Sequence, residues 1–569
     1  MKFDKISDIL IIMKKIFILL LIIFSLTMSF AASAVRVDFG YENPERELII
    51  THPSVRSRET VSSRMSVLGA ADPLYPLYIN GEEISLTRNG FFTYYAELNV
   101  GENVLSFTNG GNKEEITILR HEAAQSVPLG TIEFNPPIFG ATDYDYISRF
   151  SDFDDDRKAR TPLVRRTTFK IIGERGDDYI LHDGTMVFKS NVFLLDRELP
   201  PITVSGGVAT PTDNGVAVTF DVNEYPLYDI ELDGKTAILR IYTDNEQSFL
   251  QPDGEYLLDI EKYVMSTTPT STALIYNLTF NRPLIGYTVN FAEGVMTVEF
   301  RYPPQSFSQA VVMLDAGHGG TDPGALGPPG PLGPMEKHFN LHVWEVAKNY
   351  LESLGVTVIS PRTDDTFVSI ADRVEHFTKY IPHLSVAVHT NSMPLTSDFG
   401  SETGPLMYYT LDTSRNAADF MIEIIARETG NDYVPAKRRN FALARYTGGP
   451  AMLFEMGFLC NPEEYEILLD PDYLDRMGLA LGRAVEEYLL ASADGVIVRP
   501  VIQEPYDDLQ HPEEEDFYNR EEPYIPAYAQ RQSRSLSLYG MLFLYTAFLT
   551  GTIVIGAALL LPNRRKLIP

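Results

Sequence analysis

The chain has 569 residues, of which 44% are hydrophobic, and its formal net charge at pH 7 is −30. This length predicts several domains with ordinary apolar cores, and the negative charge argues against a nucleic-acid partner, which requires a basic surface. Cys460 is the only cysteine, so the domains cannot rely on an intrachain disulfide and must be stable through their cores.

The first residues have the pattern of a secretory signal peptide. Lys14 and Lys15 precede a long apolar stretch, and the small residues Ala32-Ser33-Ala34 follow it as a cleavage pattern. We therefore predict a signal peptide over residues 1–34. Because Met13 opens this pattern, we hypothesise that it is the true start of the protein. An uncleaved N-terminal anchor is the alternative.

Short alternating apolar runs, separated by turn pairs such as Asn-Gly and Asp-Gly, fill the next part of the chain. Such runs are typical of strands joined by tight turns. Residues 35–120 are similar to bacterial immunoglobulin-like modules. Residues 121–201 favour a small β domain, for which an SH3-like barrel is a candidate, and residues 202–304 have the strand spacing of a β-sandwich.

From residue 309 to residue 494 the pattern changes to strands alternating with helices. Strands are predicted at Val311–Ala316, Val356–Ser360, Leu384–His389, Leu406–Thr410 and Ala451–Met456. Helices are predicted near Lys337–Leu354, Val368–Tyr380, Ser414–Thr429 and Asp472–Leu490. Alternation of this kind indicates a sheet flanked by helices, with functional side chains beyond the carboxyl ends of its strands.

The C-terminal part combines a linker with a hydrophobic segment. Residues 495–535 are acidic and Pro-rich, a composition that cannot fold alone. Residues 536–561 carry no formal charge and are numerous enough to span a bilayer as a helix. The basic tail at 562–569 favours the cytoplasmic side. We therefore predict a single-pass membrane anchor with the preceding domains outside the cell.

Two histidines and two glutamates lie at or near the ends of predicted elements. His318 stands between glycines after the first strand, His389 closes the third strand, and Glu336 precedes the first helix. Two imidazoles and one carboxylate form the ligand set of a catalytic zinc ion with an open fourth position. Glu455 has apolar neighbours, which should raise its pKa and suit it to accept and return a proton.

Each of these residues also has a purely structural interpretation, as a turn or core histidine, a helix N-terminal charge or a buried carboxylate. His338 and His342 form a competing pair, because residues four apart lie on the same side of a helix. We favour two surface histidines as the interpretation of that pair.

Four sequence blocks occur in order, DAGHGGTDPGALG, EKHFNL, VAVHTNS and LFEMGFLCNPEE. Together they resemble the zinc-dependent N-acetylmuramoyl-L-alanine amidases of bacterial cell walls. The resemblance implies an α/β catalytic domain in which His318, Glu336 and His389 hold Zn²⁺ and Glu455 is the catalytic residue. It also implies hydrolysis of the amide bond between N-acetylmuramic acid and L-alanine in peptidoglycan.

The same resemblance suggests supporting residues. Asp315 is expected to orient the loop of the first histidine, and Arg373 to be either structural or substrate-facing. Asn391 and Asn461 are expected to hold loops, while Cys460 is expected to be a small packed residue.

The predicted fold class is therefore multidomain, with N-terminal all-β modules, an α/β amidase catalytic domain and a C-terminal transmembrane helix. The expected location is the cell membrane, with the catalytic domain on the cell-wall side. The β modules are expected to bind wall polymer or an activator protein. Two alternatives remain open for the function: a catalytically silent wall-binding scaffold, and a zinc peptidase that cuts stem peptides.

Overall fold

The computed structural model describes residues 47–123, 130–151, 159–245, 249–268 and 271–493. The predicted signal peptide at 1–34, the linker at 495–535, the hydrophobic segment at 536–561 and the tail at 562–569 lie outside these residues. The predicted domain boundaries stay predictions.

Residues 47–121, here called the N-terminal β unit, form two small sheets around one core. The strands are β1 (Ile49–His52), β2 (Ser57–Thr60), β3 (Arg64–Ala70), β4 (Leu77–Ile79), β5 (Glu82–Ile84), β6 (Phe91–Glu97), β7 (Gly101–Asn109) and β8 (Asn112–Arg120). The sheet orders are β1-β3-β6 and β2-β8-β7-β4-β5. Every second residue points inward, so Met65 and Val67 of one sheet share a buried core with Ile116 and Ile118 of the other.

The next strands build a five-stranded antiparallel sheet in the order β12-β11-β10-β9-β13. These strands are β9 (Ile132–Thr142), β10 (Thr168–Arg175), β11 (Asp178–Leu181), β12 (Met186–Phe188) and β13 (Val192–Leu194). Phe169 and Ile171 of β10 are fully buried. Both belong to a hydrophobic core that continues into the strands that follow.

Two four-stranded antiparallel sheets follow, in the orders β14-β15-β21-β20 and β16-β17-β19-β18. Their strands are β14 (Val204–Thr212), β15 (Gly215–Val222), β16 (Tyr228–Asp233), β17 (Thr236–Tyr242), β18 (Leu257–Thr268), β19 (Ser271–Phe280), β20 (Gly286–Ala292) and β21 (Val295–Arg301). Alternate residues such as Val218 and Leu239 lie in the shared core. Residues 130–302 therefore have one hydrophobic core, built from all three sheets.

The last described part is a six-stranded sheet with helices on both faces. Its strands are β22 (Val311–Ala316), β23 (Thr357–Ile359), β24 (Leu384–Asn391), β25 (Leu406–Tyr409), β26 (Lys437–Arg438) and β27 (Ala451–Phe458), in the order β23-β22-β24-β27-β25-β26. The first four of that order run parallel to one another, and β25 is antiparallel to β27. The carboxyl ends of β22, β24 and β27 therefore meet at one edge.

Five helices flank this sheet: α1 (Glu336–Ser353), α2 (Ile370–Tyr380), α3 (Asp412–Thr429), α4 (Pro462–Leu468) and α5 (Pro471–Ser492). Several begin at side-chain caps: Ser369 accepts a hydrogen bond from Asp372 N, and Asn461 and Asp470 cap α4 and α5. Leu314 of β22 packs with α1, α3 and α5, whereas Met313 packs on the opposite face with α2. This alternation fixes which side chains reach each face.

The fold-class prediction is wrong in its transmembrane helix. Among the residues that the structure describes, no helix combines the length and the apolar composition that a bilayer crossing requires. The segment on which the prediction rested, residues 536–561, lies outside those residues.

Candidate active site

His318 is held just beyond the end of β22 by an unusual backbone. It has a positive φ of 62°, and Gly319 and Gly320 follow with φ of 127° and 56°. Before it, Gly317 leaves room for the second histidine, because a Cβ at this position would lie 2.3 Å from His389 Cε1. The glycines around His318 therefore allow the two imidazoles to approach each other.

The three predicted metal ligands converge at the carboxyl edge of the sheet. Glu336 Oε1 lies 3.1 Å from His318 Nε2 and 2.9 Å from His389 Nδ1. One ligand atom of each residue lies within 4.8 Å of the others. Glu336 is buried, while the side chains of His318 and His389 are 25% and 18% exposed. The arrangement is a His/Glu site able to hold a metal ion, with one side open to solvent.

A set of fixed hydrogen bonds orients these ligands. Asp322 Oδ2 lies 2.8 Å from His318 Nδ1, which leaves Nε2 directed at Glu336. Asn340 donates to Glu336 Oε1 at 3.3 Å and accepts from Thr390 Oγ1 at 3.0 Å. Carboxylate and amide partners of this kind fix the ring and carboxylate orientations that a metal requires.

Asp322 is one of the supporting residues, with Arg362 and Asn340, that the sequence did not reveal. It is part of the block that carries His318, and its position four residues after that histidine was the available signal. Nothing in the local sequence shows that the loop turns back, as it does through the backbone bonds between Gly319 and Asp322.

Two buried arginines hold the backbone of the first histidine. Arg373 pairs with Asp315 and donates to Ala316 O at 2.9 Å and to His318 O at 2.6 Å. Arg362 donates to Ala316 O at 2.6 Å and to Gly317 O at 2.8 Å. The burial of Arg373 favours the structural alternative, and Asp315 acts through it on the loop.

The charges of the site are strongly interdependent. Burial opposes ionisation of Glu336, but hydrogen bonds and charge from His318 and His389 hold its pKa well below the usual range. Burial also opposes the cation of His318, yet the hydrogen bonds and negative charges of Glu336 and Asp322 raise its pKa overall. The buried Glu336 carboxylate thus favours positive charge at this cluster, which a divalent ion can supply.

Glu455 lies next to this cluster on the neighbouring strand. It is paired in register with His389 between β24 and β27. Its side chain is buried, and its Oε2 has no hydrogen-bond partner among the described residues. Burial, followed by the negative charge of Glu336, raises its pKa well above the ordinary value. A carboxyl group whose pKa is raised in this way is suited to transfer protons.

The competing histidine pair does not converge on a metal site. His342 Nε2 lies 2.6 Å from Asp475 Oδ1, across the contact between α1 and α5. His338 Nδ1 accepts a hydrogen bond from Met335 N at 3.0 Å at the start of α1. Both therefore serve the packing and capping of α1.

The remaining supporting residues hold loops near the site. Asn391 Oδ1 accepts from Ser392 N at 2.8 Å, and Asn461 Nδ2 donates to Glu402 O at 3.3 Å. Cys460 is buried, and its Sγ accepts from Met393 N at 3.3 Å.

Residues 312–487 match the family described as N-acetylmuramoyl-L-alanine amidase. The protein named YqiI of Bacillus subtilis (strain 168) is 30% identical over 178 residues, which cover 31% of this chain and 84% of YqiI. The chain belongs to the N-acetylmuramoyl-L-alanine amidase family. The match contains all four predicted site residues, whereas residues 47–302 lie outside it.

Other similar proteins carry amidase names. The germination-specific N-acetylmuramoyl-L-alanine amidase of Bacillus subtilis (strain 168) is 28% identical over 202 residues, 33% of this chain and 83% of that protein. Amidase AmiC of Neisseria meningitidis is 27% identical, but the chain spans only 53% of it. The solved catalytic domain of CwlV from Bacillus (Paenibacillus) polymyxa var. colistinus is 32% identical, with a TM-score of 0.29, covering 32% of this chain and 98% of that chain.

Proposed function

We propose that this amidase hydrolyses the bond between N-acetylmuramic acid and L-alanine in peptidoglycan with one Zn²⁺ held by His318, Glu336 and His389. The observation that carries the proposal is the convergence of these three ligands beside the buried Glu455. This constellation brings a metal site and a proton-transferring group to one solvent-facing edge.

The donor set fits zinc. Two imidazole nitrogens and one carboxylate oxygen are ligands that Zn²⁺ accepts at about 2 Å, so tetrahedral ligand atoms lie roughly 3.3 Å apart. The 3.1 Å and 2.9 Å separations between Glu336 and the two histidines are close to that spacing. When bound, Zn²⁺ supplies a Lewis acid that polarises the scissile carbonyl and activates water.

The protein's own residues then move the proton. Glu455 accepts a proton from the water whose oxygen attacks the carbonyl carbon. As the carbon–nitrogen bond breaks, Glu455 delivers that proton to the leaving nitrogen of L-alanine. The products are the lactyl carboxylic acid of the sugar, which releases its remaining proton to solvent, and a peptide with a free amino terminus. Asp322 and Asn340 keep the ligands oriented throughout.

The test is digestion of defined peptidoglycan by the full chain, followed by mass spectrometry. Released stem peptides that begin with L-alanine support the amidase. A cut between two amino acids would support the peptidase alternative, and no release from zinc-loaded protein would support the scaffold.

The proposal for Glu455 makes its own prediction. Glu455→Gln preserves the size of the side chain but cannot carry the proton, so kcat should fall by about 10²- to 10⁴-fold. Bound zinc, measured by atomic absorption after dialysis, should stay equal to that of the wild type. Wild-type turnover in this variant would remove Glu455 from the mechanism.

The substrate implies a cell-wall-side location for the amidase domain. The β-rich residues 47–302 lie outside the family match. We propose that they bind wall polymer or an activator protein.

A further inference from the structure

Two loops connect the metal ligands to the rest of the sheet, and both lie on the N-terminal β unit. The first loop, residues 317–335, carries His318 and Asp322 and leads into Glu336. The second loop, residues 392–405, continues from the strand of His389 to β25, whose Leu406 is paired with Glu455. The position of these loops therefore bears on all four site residues.

Strand β1 contacts the first loop through a buried hydrogen bond. Thr51 Oγ1 donates to Pro328 O at 2.6 Å, and a Cβ on Gly330 would lie 3.0 Å from the same hydroxyl. The imidazole of the neighbouring His52 lies beside the backbone of Leu326. The loop thus lies against this strand at alternate residues, Leu326, Pro328 and Gly330.

Strand β6 reaches the end of the first loop through an aromatic pair. The rings of Phe91 and Tyr465 are fully buried and meet edge to face, with centroids 5.2 Å apart. Tyr465 Oη donates to Pro334 O at 2.9 Å, two residues before Glu336. The N-terminal β unit therefore contacts the segment that leads directly into Glu336.

Strand β3 holds the second loop through a single serine. Ser66 N donates to Leu395 O at 2.7 Å, Ser66 Oγ donates to Ser397 O at 2.7 Å, and the same Oγ accepts from Phe399 N at 3.3 Å. Tyr95 Oη adds a bond to Thr396 O at 2.9 Å. Ser66 is fully buried, so these backbone groups are satisfied away from water.

Residues 130–302 contact a different end of the amidase sheet. Arg301 Nη1 donates to Pro382 O at 2.9 Å, just before β24 begins, and Tyr287 N donates to Thr447 O at 2.7 Å, before β27. Ser148 Oγ donates to Asn440 Oδ1 at 2.8 Å. The first two contacts lie at the amino ends of the strands, away from the metal ligands.

We infer that Thr51 and Ser66 are positioning residues for the amidase site, holding the two loops so that His318, Glu336 and His389 converge. The first loop has seven glycines among its 19 residues, so its backbone loses much conformational freedom when it is ordered. Contacts from the N-terminal β unit supply that order before metal binds. This inference rests on the proposed function.

The test uses four variants of the full chain. Thr51→Val keeps the volume but removes the bond to Pro328 O, while Thr51→Ser keeps the hydroxyl. Ser66→Ala removes both side-chain bonds to the second loop. Ser148→Ala is the matched control, because it removes a buried-interface hydroxyl bond from residues 130–302. Zn²⁺ affinity is measured by competition with a chromophoric chelator, together with kcat, KM and the metal-free melting temperature.

We expect Thr51→Val and Ser66→Ala to weaken Zn²⁺ binding on the order of 10-fold, the lower end of what loss of a ligand-orienting contact costs, and to lower kcat more than they change KM. Thr51→Ser should restore wild-type affinity. Ser148→Ala should lower only the melting temperature. If Ser66→Ala does not fold, the comparison of Thr51→Val with Thr51→Ser still tests the inference.

Wild-type Zn²⁺ affinity in Thr51→Val and Ser66→Ala, with reduced melting temperatures, would overturn the inference and leave the proposed function intact. A wild-type protein that neither binds Zn²⁺ nor releases peptides would overturn the proposed function itself.

Discussion

Among single residues, Asp322 is a loop carboxylate placed to orient the ring of His318, a proposed metal ligand. It lies 2.8 Å from His318 Nδ1 and is itself partly exposed. We expect Asp322→Asn to weaken Zn²⁺ binding about 10- to 100-fold, because a neutral amide holds the ring less strongly than a carboxylate. Isothermal titration with Zn²⁺ measures this.

Asp365→Asn is the matched control for that experiment. Asp365 also lies on a loop beside the site, where it accepts from Gly320 N at 2.8 Å and pairs with Lys337 at 2.7 Å. Asp365 does not contact the ring of His318 or His389. The affinity of the Asp365→Asn variant for Zn²⁺ should therefore stay within a few-fold of the wild type. Equal losses in both variants would contradict a specific role for Asp322.

The opposite pKa shifts of Glu336 and His318 predict a pH-dependent effect of zinc. The lowered pKa of Glu336 contributes stability above its unfolded value of about 4.3, which is lost as pH falls through the folded value. The raised pKa of His318 contributes stability below its unfolded value of about 6.5, which is lost as pH rises through the folded value. Metal-free protein should therefore lose stability from this cluster above about pH 6.5.

Zinc bound at the proposed site would reverse that loss, because it binds neutral imidazole and competes with the proton. The increase in melting temperature caused by Zn²⁺ should be larger at pH 8 than at pH 6. Differential scanning fluorimetry with EDTA or with excess Zn²⁺ measures it. A zinc-induced increase that is the same at both pH values would show that His318 does not exchange a proton for the metal.

The sequence was informative about which side chains meet at the carboxyl edge of the sheet, because the histidines and carboxylates stand at or near the ends of recognisable strands and helices. It was less informative about the groups that orient them. The contacts of Arg362 and Asn340 depend on which backbone carbonyls turn toward them. That information arises only when separate loops are brought together.

At the scale of elements, apolar runs and amphipathic patterns predicted the amidase sheet closely. The prediction for the first strand coincides with β22, and the first helix begins at Glu336, one residue earlier than predicted. The two-residue β26 and the short α4 were missed. Such short elements contain too few residues for a hydrophobic period to appear, although Asn461-Pro462-Glu463 at the beginning of α4 is a recognisable helix start.

The N-terminal cap of α4 should contribute measurably to the stability of the protein. Asn461 Oδ1 accepts from Glu463 N at 3.0 Å, so Asn461→Ala should reduce the free energy of unfolding by about 1 kcal/mol. Asn461→Asp retains the capping oxygen and should recover most of that loss. Urea unfolding followed by circular dichroism measures both. An alanine variant as stable as the wild type would show that Pro462 alone starts the helix.

At the scale of the whole molecule, the sequence predicted β-rich regions before the amidase domain but not how they pack. Ala70 and Phe91 of the N-terminal β unit are part of the main hydrophobic core of the amidase domain. Contacts between residues hundreds of positions apart leave no periodic signal in either segment. The sequence therefore could not predict that the N-terminal β unit packs directly against the amidase domain.

The junction between residues 130–302 and the amidase sheet contains a buried histidine that should make the protein acid-sensitive. Burial, with the positive charge of Arg301, lowers the pKa of His383 to about 4, and Val311 N donates to its Nδ1 at 3.1 Å. The unfolded chain takes up this proton near pH 6.5. Stability is therefore fully present above that pH and falls as pH drops toward 4, by up to about 3 kcal/mol.

His383→Asn removes the titrating group while its amide oxygen can still accept from Val311 N. The free energy of unfolding of this variant should depend less on pH between 6.5 and 4 than that of the wild type, as measured by urea titrations at several pH values. His376→Asn on α2, away from the junction, is the control and should keep the wild-type pH dependence. Equal pH dependence in the wild type and His383→Asn would place the acid sensitivity in other residues.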